Sequence, residues 1–423
     1  MVSATVFAQT AVPYAEKTWE SGSLGGYSGL QVADIDGDGQ SEILAMCSNN
    51  IINIYSAHDF ALESNITVPS SGGYFTPIYD LFAVAQVDGD AALEVICKSS
   101  SILSGFKVID GITKAVEWDR SGDMDHLAVA DIDSDGMAEI IVGGNAIEVF
   151  DADTQALKGT SENITYWGNL SYVSMFRDIE VGDVIAGGNS EIVAIVDEFY
   201  GTGRIFILDS QTLEIKLNIS VSGSLQCLSL ADIDQDGAIE IIIGDGGVST
   251  GTLSYFGHIF VYDSSGTLEW GSQDLGEMIN AIAVSDIDSD GAMEIVTTSD
   301  RVKVLYAGNK TAVWSGTNLI SVGDGDSLVL ADLDGDGKKD ILTRADSYSD
   351  GNRAVVYTVN GFSTAVDEGD TDDANDDGTS DDGNETENDE SGSFLEDNML
   401  IIVAVVVVVA TVAAVIFMIR RKP

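Results

Sequence analysis

One phrase returns along the chain at nearly even spacing: VADIDGDGQSEIL from Val32, VADIDSDGMAEII from Val129, LADIDQDGAIEII from Leu230, VSDIDSDGAMEIV from Val284 and LADLDGDGKKDIL from Leu330. Two weaker copies fill the gaps. VAQVDGDAALEVI from Val84 carries Gln86 for the first Asp and Ala91 for the Gly, and VGDVIAGGNSEIV from Val181 keeps only Asp183 and Glu191 of the acidic set. The first loop positions are then 34, 86, 131, 183, 232, 286 and 332, so seven units follow one another at a period of about 50 residues. A period of this length means that each unit buries its apolar faces against its neighbours.

Each unit reads as short strands. In the third, Leu127 to Ala130 enters the acidic loop, Glu139 to Val142 leaves it, a Gly143-Gly144-Asn145 turn follows, and strands near Ile147 to Phe150 and Ala156 to Gly159 complete it. Four strands per unit, seven times over, predict an all-β, seven-bladed β-propeller across 16–362; a linear β-solenoid is the alternative, with a normally shorter repeat. The tryptophans add a second periodicity. Trp19, Trp118, Trp167, Trp270 and Trp314 precede their next acidic loop by 15, 13, 16, 16 and 18 residues, a slot expected on the fourth strand. Trp19 has no unit before it, and the seventh unit has no fourth strand of its own after Ala354 to Val359. The N-terminal strand is therefore expected to complete the last blade and close the ring, which leaves only short edges.

In the loops, carboxylates stand at positions 1, 3, 5 and 9: Asp34, Asp36, Asp38 and Glu42; Asp131, Asp133, Asp135 and Glu139; Asp232, Asp234, Asp236 and Glu240; Asp286, Asp288, Asp290 and Glu294; Asp332, Asp334, Asp336 and Asp340. Gly at position 6 supplies a positive-φ turn that lets the loop wrap a point. With a backbone carbonyl near position 7, the shell is oxygen-only with about six ligands, which suits Ca²⁺ before Mg²⁺. An EF-hand would need a bidentate Glu at position 12 and flanking helices. That position holds Ala45, Val142, Ile243, Thr297 or Thr343, and the flanks read as strands. Four carboxylates this close repel one another strongly without a cation. About five Ca²⁺ sites are expected; the loop ending at Glu94 is left open, and the loop ending at Glu191 is expected to hold none.

These loops resemble FG-GAP/VCBS repeats, the calcium-binding blades of integrin α-subunit propellers and many microbial surface proteins. The resemblance covers about 16–362, while the Phe-Gly and Gly-Ala-Pro phrases of the integrin form are largely absent, so integrin ligand recognition does not carry over. It implies a seven-bladed propeller with Ca²⁺ in the loops joining first and second strands. Partners would then bind the opposite face, built from second-to-third and fourth-to-first connections. Several of those connections are long and aromatic: Ser70 to Tyr79 with Tyr74 and Phe75, Asp197 to Arg204 with Phe199 and Tyr200, Gly244 to Gly257 with Tyr255 and Phe256, and Asp346 to Arg353 with Tyr348. Such rings can anchor a protein or stack on a sugar, or pack their own loops down.

The chain has 423 residues and a net charge of −51, with only 19 Lys and Arg, which excludes a nucleic-acid binder. Part of the acid is local. Residues 363–398 form an acidic stretch, with 15 Asp and Glu and no Lys or Arg between Asp367 and Asp397, expected to be a disordered stalk. Met399 to Ile419 is 21 uncharged residues ending in Arg420-Arg421-Lys422, expected to be a transmembrane helix with residues 420–423 cytoplasmic. The expected placement is a single-pass protein of the cell membrane with an extracellular propeller. Residues 1–15 read as the remnant of a signal peptide, with insertion by the C-terminal anchor alone as the alternative.

Cys47, Cys97 and Cys227 lie in apolar strands and read as small buried hydrophobes. Sequons at Asn65, Asn163, Asn169, Asn218, Asn309 and Asn384 fit an external glycoprotein. His58, His126 and His258 sit in no triad-like setting, and GxSxG, HExxH and P-loop motifs are absent. Paired-carboxylate catalysis stays open because any two of 70 acids could converge. Two readings follow. The first is a non-enzymatic adhesin or receptor for a protein or glycan. The second is a membrane-tethered carbohydrate-active enzyme, which would show convergent carboxylates with Arg204 or Arg353 at the ring mouth.

Overall fold

In the computed structural model the described residues are 13–25, 29–69, 79–99, 105–122, 124–164, 175–198, 202–248, 255–316, 328–345 and 352–361. They form seven four-stranded antiparallel sheets, one per repeat, and in six of them the strands follow the order of the chain from innermost to outermost. Blade 1 runs Leu30–Ala33, Glu42–Cys47, Ile51–Ser56 and Leu62–Thr67; blade 3 runs His126–Ala130, Glu139–Gly143, Ile147–Asp151 and Ala156–Thr160. Blade 4 has the longest strands, Met175–Gly182, Glu191–Glu198, Thr202–Asp209 and Ile215–Ser222. Blade 7 is Leu328–Ala331, Asp340–Ala345 and Arg353–Val359, completed by Ala15–Glu20 from the start of the chain. The sheet order confirms ring closure by the N-terminal strand.

The burial pattern follows strand rank. Second strands such as Glu94–Ser99 and Glu139–Gly143 are buried at every position, because both faces of the blade press on neighbours there. Fourth strands such as Leu62–Thr67 are mostly exposed. Seven apolar clusters line the seams, each shared by two adjacent blades; Ile141, Phe176 and Ile192 belong to the seam of blades 3 and 4, and Leu44, Ile52 and Val95 to that of blades 1 and 2. No blade owns a core, which is why the repeat had to close on itself.

A feature the repeat did not announce is a β-bulge in the outermost strand of all seven blades. It leaves Thr18, Glu63, Glu117, Lys158, Lys216, Glu269 and Val313 as the extra residue between two paired positions. The tryptophan slot is the position just after the bulge, filled by Trp19, Trp118, Trp270 and Trp314 in four blades. Blade 3 corrects the expectation. Its fourth strand ends at Thr160, the slot holds Gly159, and Leu213 of blade 4 fills the space, 2.9 Å from where a Cβ would stand. Trp167 lies outside the described residues.

The chain divides into two units, Met1–Thr364 and Ala365–Pro423, and the second lies outside the described residues together with the expected stalk and transmembrane helix. Among the described residues no helix is long and apolar enough to cross a membrane. Cys97 and Cys227 are buried, Cys47 is half-buried, and all three are free thiols.

Candidate metal centre

The acid at loop position 9 opens each second strand and is buried in every blade. One of its oxygens accepts the backbone N–H of loop position 2 in all seven: Ile35 to Glu42 at 3.0 Å, Val87 to Glu94 at 2.9 Å, Ile132 to Glu139 at 3.0 Å, Val184 to Glu191 at 3.0 Å, Ile233 to Glu240 at 2.9 Å, Ile287 to Glu294 at 3.0 Å and Leu333 to Asp340 at 3.0 Å. This acid therefore has a structural task even where the rest of the motif has decayed, which explains why Glu191 persists in the weakest copy. Position 1 closes the other side. Asp34, Asp131, Asp232, Asp286 and Asp332 each accept the N–H of the position-6 glycine at 2.9 to 3.0 Å. Those glycines have φ between +89° and +93°, as the motif requires. Position 4 is left-handed as well, and in three loops it is not glycine: Ser134, Gln235 and Ser289 have φ of 60° to 62°.

In the loops of blades 1, 3 and 5 the turns bring three of the four motif carboxylates together. Oxygens of Asp34, Asp36 and Glu42 lie within 4.8 Å of one another, as do those of Asp131, Asp133 and Asp135, and of Asp232, Asp234 and Glu240. Asp34 Oδ1, Asp288 Oδ1 and Glu294 Oε1 are buried with no hydrogen-bond partner. An orphaned carboxylate oxygen in such a cluster is costly unless a cation takes it, so these donors fit a hard divalent ion. Burial pushes Glu42 and Glu294 up to about 7 and Asp340 up to about 6, each partly offset by the amide it accepts and raised further by neighbouring loop carboxylates. Glu240 is shifted upward for the same reasons.

Two loops carry features that the motif itself does not show. In blade 2, Gln86 Oε1 takes over position 1 by accepting the amides of Asp88 and Gly89 at 3.1 and 2.8 Å, and its amide nitrogen donates to the carbonyls of Asp90 and Ala92. Carboxylates gather there from outside the motif: Asp88 and Asp90 meet Glu117, and Asp90 and Glu94 meet Asp110. In blade 3 the loop is complete, yet Lys158 Nζ stands 2.5 Å from Asp133 and 2.9 Å from Glu139.

Adjacent loops are tied together. Gln235 at position 4 donates to the carbonyl of Gly291 in the next loop at 2.8 Å, and Ser289 donates to that of Gly337 at 2.7 Å. The amides of Ala138 and Lys339 bond the carbonyls of Gln86 and Ile287, again one blade back. No single-repeat motif could reveal these links, because each joins residues about one period apart. By the antiparallel order, first-to-second and third-to-fourth turns share one face, and the other two connections share the opposite one. On that opposite face, Gly247–Val248 pairs with Tyr255–Phe256 as a hairpin, with Tyr255 exposed and Phe256 half-buried. The other aromatic side chains named for that face lie outside the described residues.

The innermost strands line a central channel with a cavity of about 610 Å³. Asp178 and Glu180 of blade 4 stand in its wall and accept the amides of Leu228 and Leu230 in blade 5 at 2.8 and 2.9 Å. Nothing in the sequence marks this pair. Burial raises both, and Asp178 raises Glu180 further, to about 8. A carboxyl whose folded pKa exceeds its unfolded one stabilises the fold fully below the unfolded value, and that contribution is lost as pH rises through the folded value. Glu180→Gln, which keeps a neutral acceptor, is therefore expected to flatten the decline in stability between about pH 4.5 and 8, by on the order of 1 kcal/mol at the upper end. Denaturant melts across that range, parent against variant, check it; parallel curves would contradict it. Arg204 pairs with Glu198 at 2.7 Å and Arg353 with Glu20 at 2.8 Å, each within its own blade.

A model of the FG-GAP-like repeat family matches residues 286–343, the sixth loop to the second strand of blade 7. No curated protein matches the chain. Among solved structures, BBS1N in complex with ARL6DN, soaked with mercury, is similar with a TM-score of 0.55 at 13% identity, over 81% of this chain and 96% of that one. The same complex soaked with lead gives 0.56 at 11% identity, over 82% and 97%. At such identities the likeness concerns the fold alone. The repeat match and the seven-blade ring agree: the chain is a seven-bladed β-propeller, and its residues 286–343 match the FG-GAP-like repeat.

Proposed function

We propose that this propeller is a calcium-stiffened extracellular binding module, held to a membrane by Met399 to Ile419 and spaced from it by the acidic stretch 363–398, which acts as an adhesin or receptor for a protein or glycan. The observation that carries the reading is the division of labour between the faces. Acidic loops hydrogen-bonded to their neighbours occupy one face, with buried carboxylate oxygens that a Ca²⁺ ion would satisfy. On the other face, one connection presents the exposed Tyr255 on a hairpin. Binding sites are commonly loops held by a rigid scaffold, and an aromatic ring is a common anchor for a protein or a sugar. Arg204 and Arg353 are engaged in ion pairs within their own blades, so the binding reading takes precedence over the enzyme one.

The test is an array of glycans and cell-surface proteins probed with the chain in Ca²⁺ and in EDTA, alongside Tyr255→Ala. The expected result is a ligand retained in Ca²⁺ and weakened at least tenfold by the substitution, since an aromatic anchor carries upward of 1.4 kcal/mol. Binding indifferent to both changes would remove this face and calcium from the account.

A further inference from the structure

In five blades the bulged residue of the outermost strand acts on the buried position-9 acid of the same blade, and its charge differs from blade to blade. Glu63, Glu117 and Glu269 add their field to Glu42, Glu94 and Glu240. Lys158 and Lys216 instead donate to Glu139 and Glu191, at 2.9 and 2.8 Å, and to Asp133 and Asp209, at 2.5 and 3.0 Å. We propose that this bulge position decides which blades take a metal ion: blades 3 and 4 carry a tethered ammonium in its place, and blade 2 is a divalent-cation site despite its broken motif. The inference rests on the reading of the acidic loops as Ca²⁺ sites.

In blade 3 the ammonium lies between a loop carboxylate and the buried carboxylate that would both ligate an ion. A metal would have to expel Lys158 and separate two short ion pairs, one of them to a buried partner. An ammonium tethered to the backbone by a four-carbon stem cannot leave by diffusion, so its effective concentration at the loop stays high. Blade 2 is the converse. Glu94 is 0% exposed and its Oε1 has no hydrogen-bond partner, while its other oxygen serves Val87. A carboxylate oxygen of Glu94 clusters with Asp90 and Asp110, and Glu117 closes on Asp88 and Asp90 from the bulge. Carboxylates from three strands and a loop thus supply the ligands that the missing first Asp does not. Lys114 and Lys310 lend positive charge near the loops of blades 1 and 5, but among the described residues neither is ion-paired with a loop carboxylate.

The experiment counts Ca²⁺ bound per full chain by equilibrium dialysis and elemental analysis. Asp135→Asn is expected to leave the parent count unchanged, Asp88→Asn to lower it by one, and Lys158→Met to raise it by one. Adding Asp135→Asn to Lys158→Met should remove the gained ion, which separates a new site at this loop from any indirect effect of the substitution. A parent that loses an ion on Asp135→Asn, or a Lys158→Met chain that gains none, overturns the proposal while leaving calcium binding by the ring intact. A parent that binds no Ca²⁺ overturns the underlying reading and this one with it.

Discussion

Removing calcium is expected to lower the melting temperature of the ring by roughly 10 to 20 °C. An ion bound only by the folded state stabilises it by about 2.7 kcal/mol at a hundredfold excess over its dissociation constant, and several sites act together. For a domain this large each kcal/mol shifts the midpoint by about 2 to 4 °C. The loss depends on pH with a definite sign. Without metal, Glu42, Glu94 and Glu294 titrate near 7 and Asp340 near 6. Protonated, they are neutral and tolerated; as pH rises through those values they become buried charges without a counterion, and the metal-free ring loses that stability. The gap between melts in Ca²⁺ and in EDTA should therefore widen from pH 6 to pH 8. Scanning calorimetry in both buffers measures it, and identical melts would end the calcium account.

Deleting residues up to Gly22 should destabilise the ring nearly as much. The strand Ala15–Glu20 pairs with Arg353–Val359 from Ala15 opposite Val359 to Glu20 opposite Val355. Beyond it, the Ala354 amide donates to Ser21 Oγ at 3.0 Å and Arg353 pairs with Glu20. Trp19 also reaches blade 1, stacked on Phe60 at 5.0 Å and edge-on to Tyr55 at 5.3 Å. One segment thus seals the last blade and locks it to the first. Trp19→Ala alone is expected to cost about 3 kcal/mol, at the lower end for a tryptophan because the ring is only partly buried. The deletion should expose the apolar outer edge of blade 7 and produce a broadened, low-temperature transition. A truncated chain that melts with the parent would mean the ring closes by some other contact.

Much of this was legible in the chain itself. The position-9 acid, the position-6 glycine and the odd-numbered carboxylates are local constraints, so five loops are legible in the sequence, and Trp19 with an unfinished seventh repeat points to closure. Blade 3 shows where such reading stops. Its loop is letter-perfect, yet its charge balance is set by Lys158, 19 residues past Glu139, and only the bulge turns that side chain toward the loop. A bulge is a one-residue register slip, invisible in a pattern of period two. The same holds for Trp167, placed in the strand slot by its distance to the next loop although Gly159 occupies it.

What the amino-acid order determined by itself was everything repeated: seven units, four strands in each, a turn built to gather oxygen ligands, and a partner strand from the far end. Repetition makes those features redundant, so decay in one copy does not erase them. The tertiary structure decided everything particular to a blade, including which acids are left without a partner, which are answered by a lysine and which line the channel. Those outcomes depend on side chains one strand or one blade away, where a shift of a few ångströms separates a hydrogen bond from an orphaned charge.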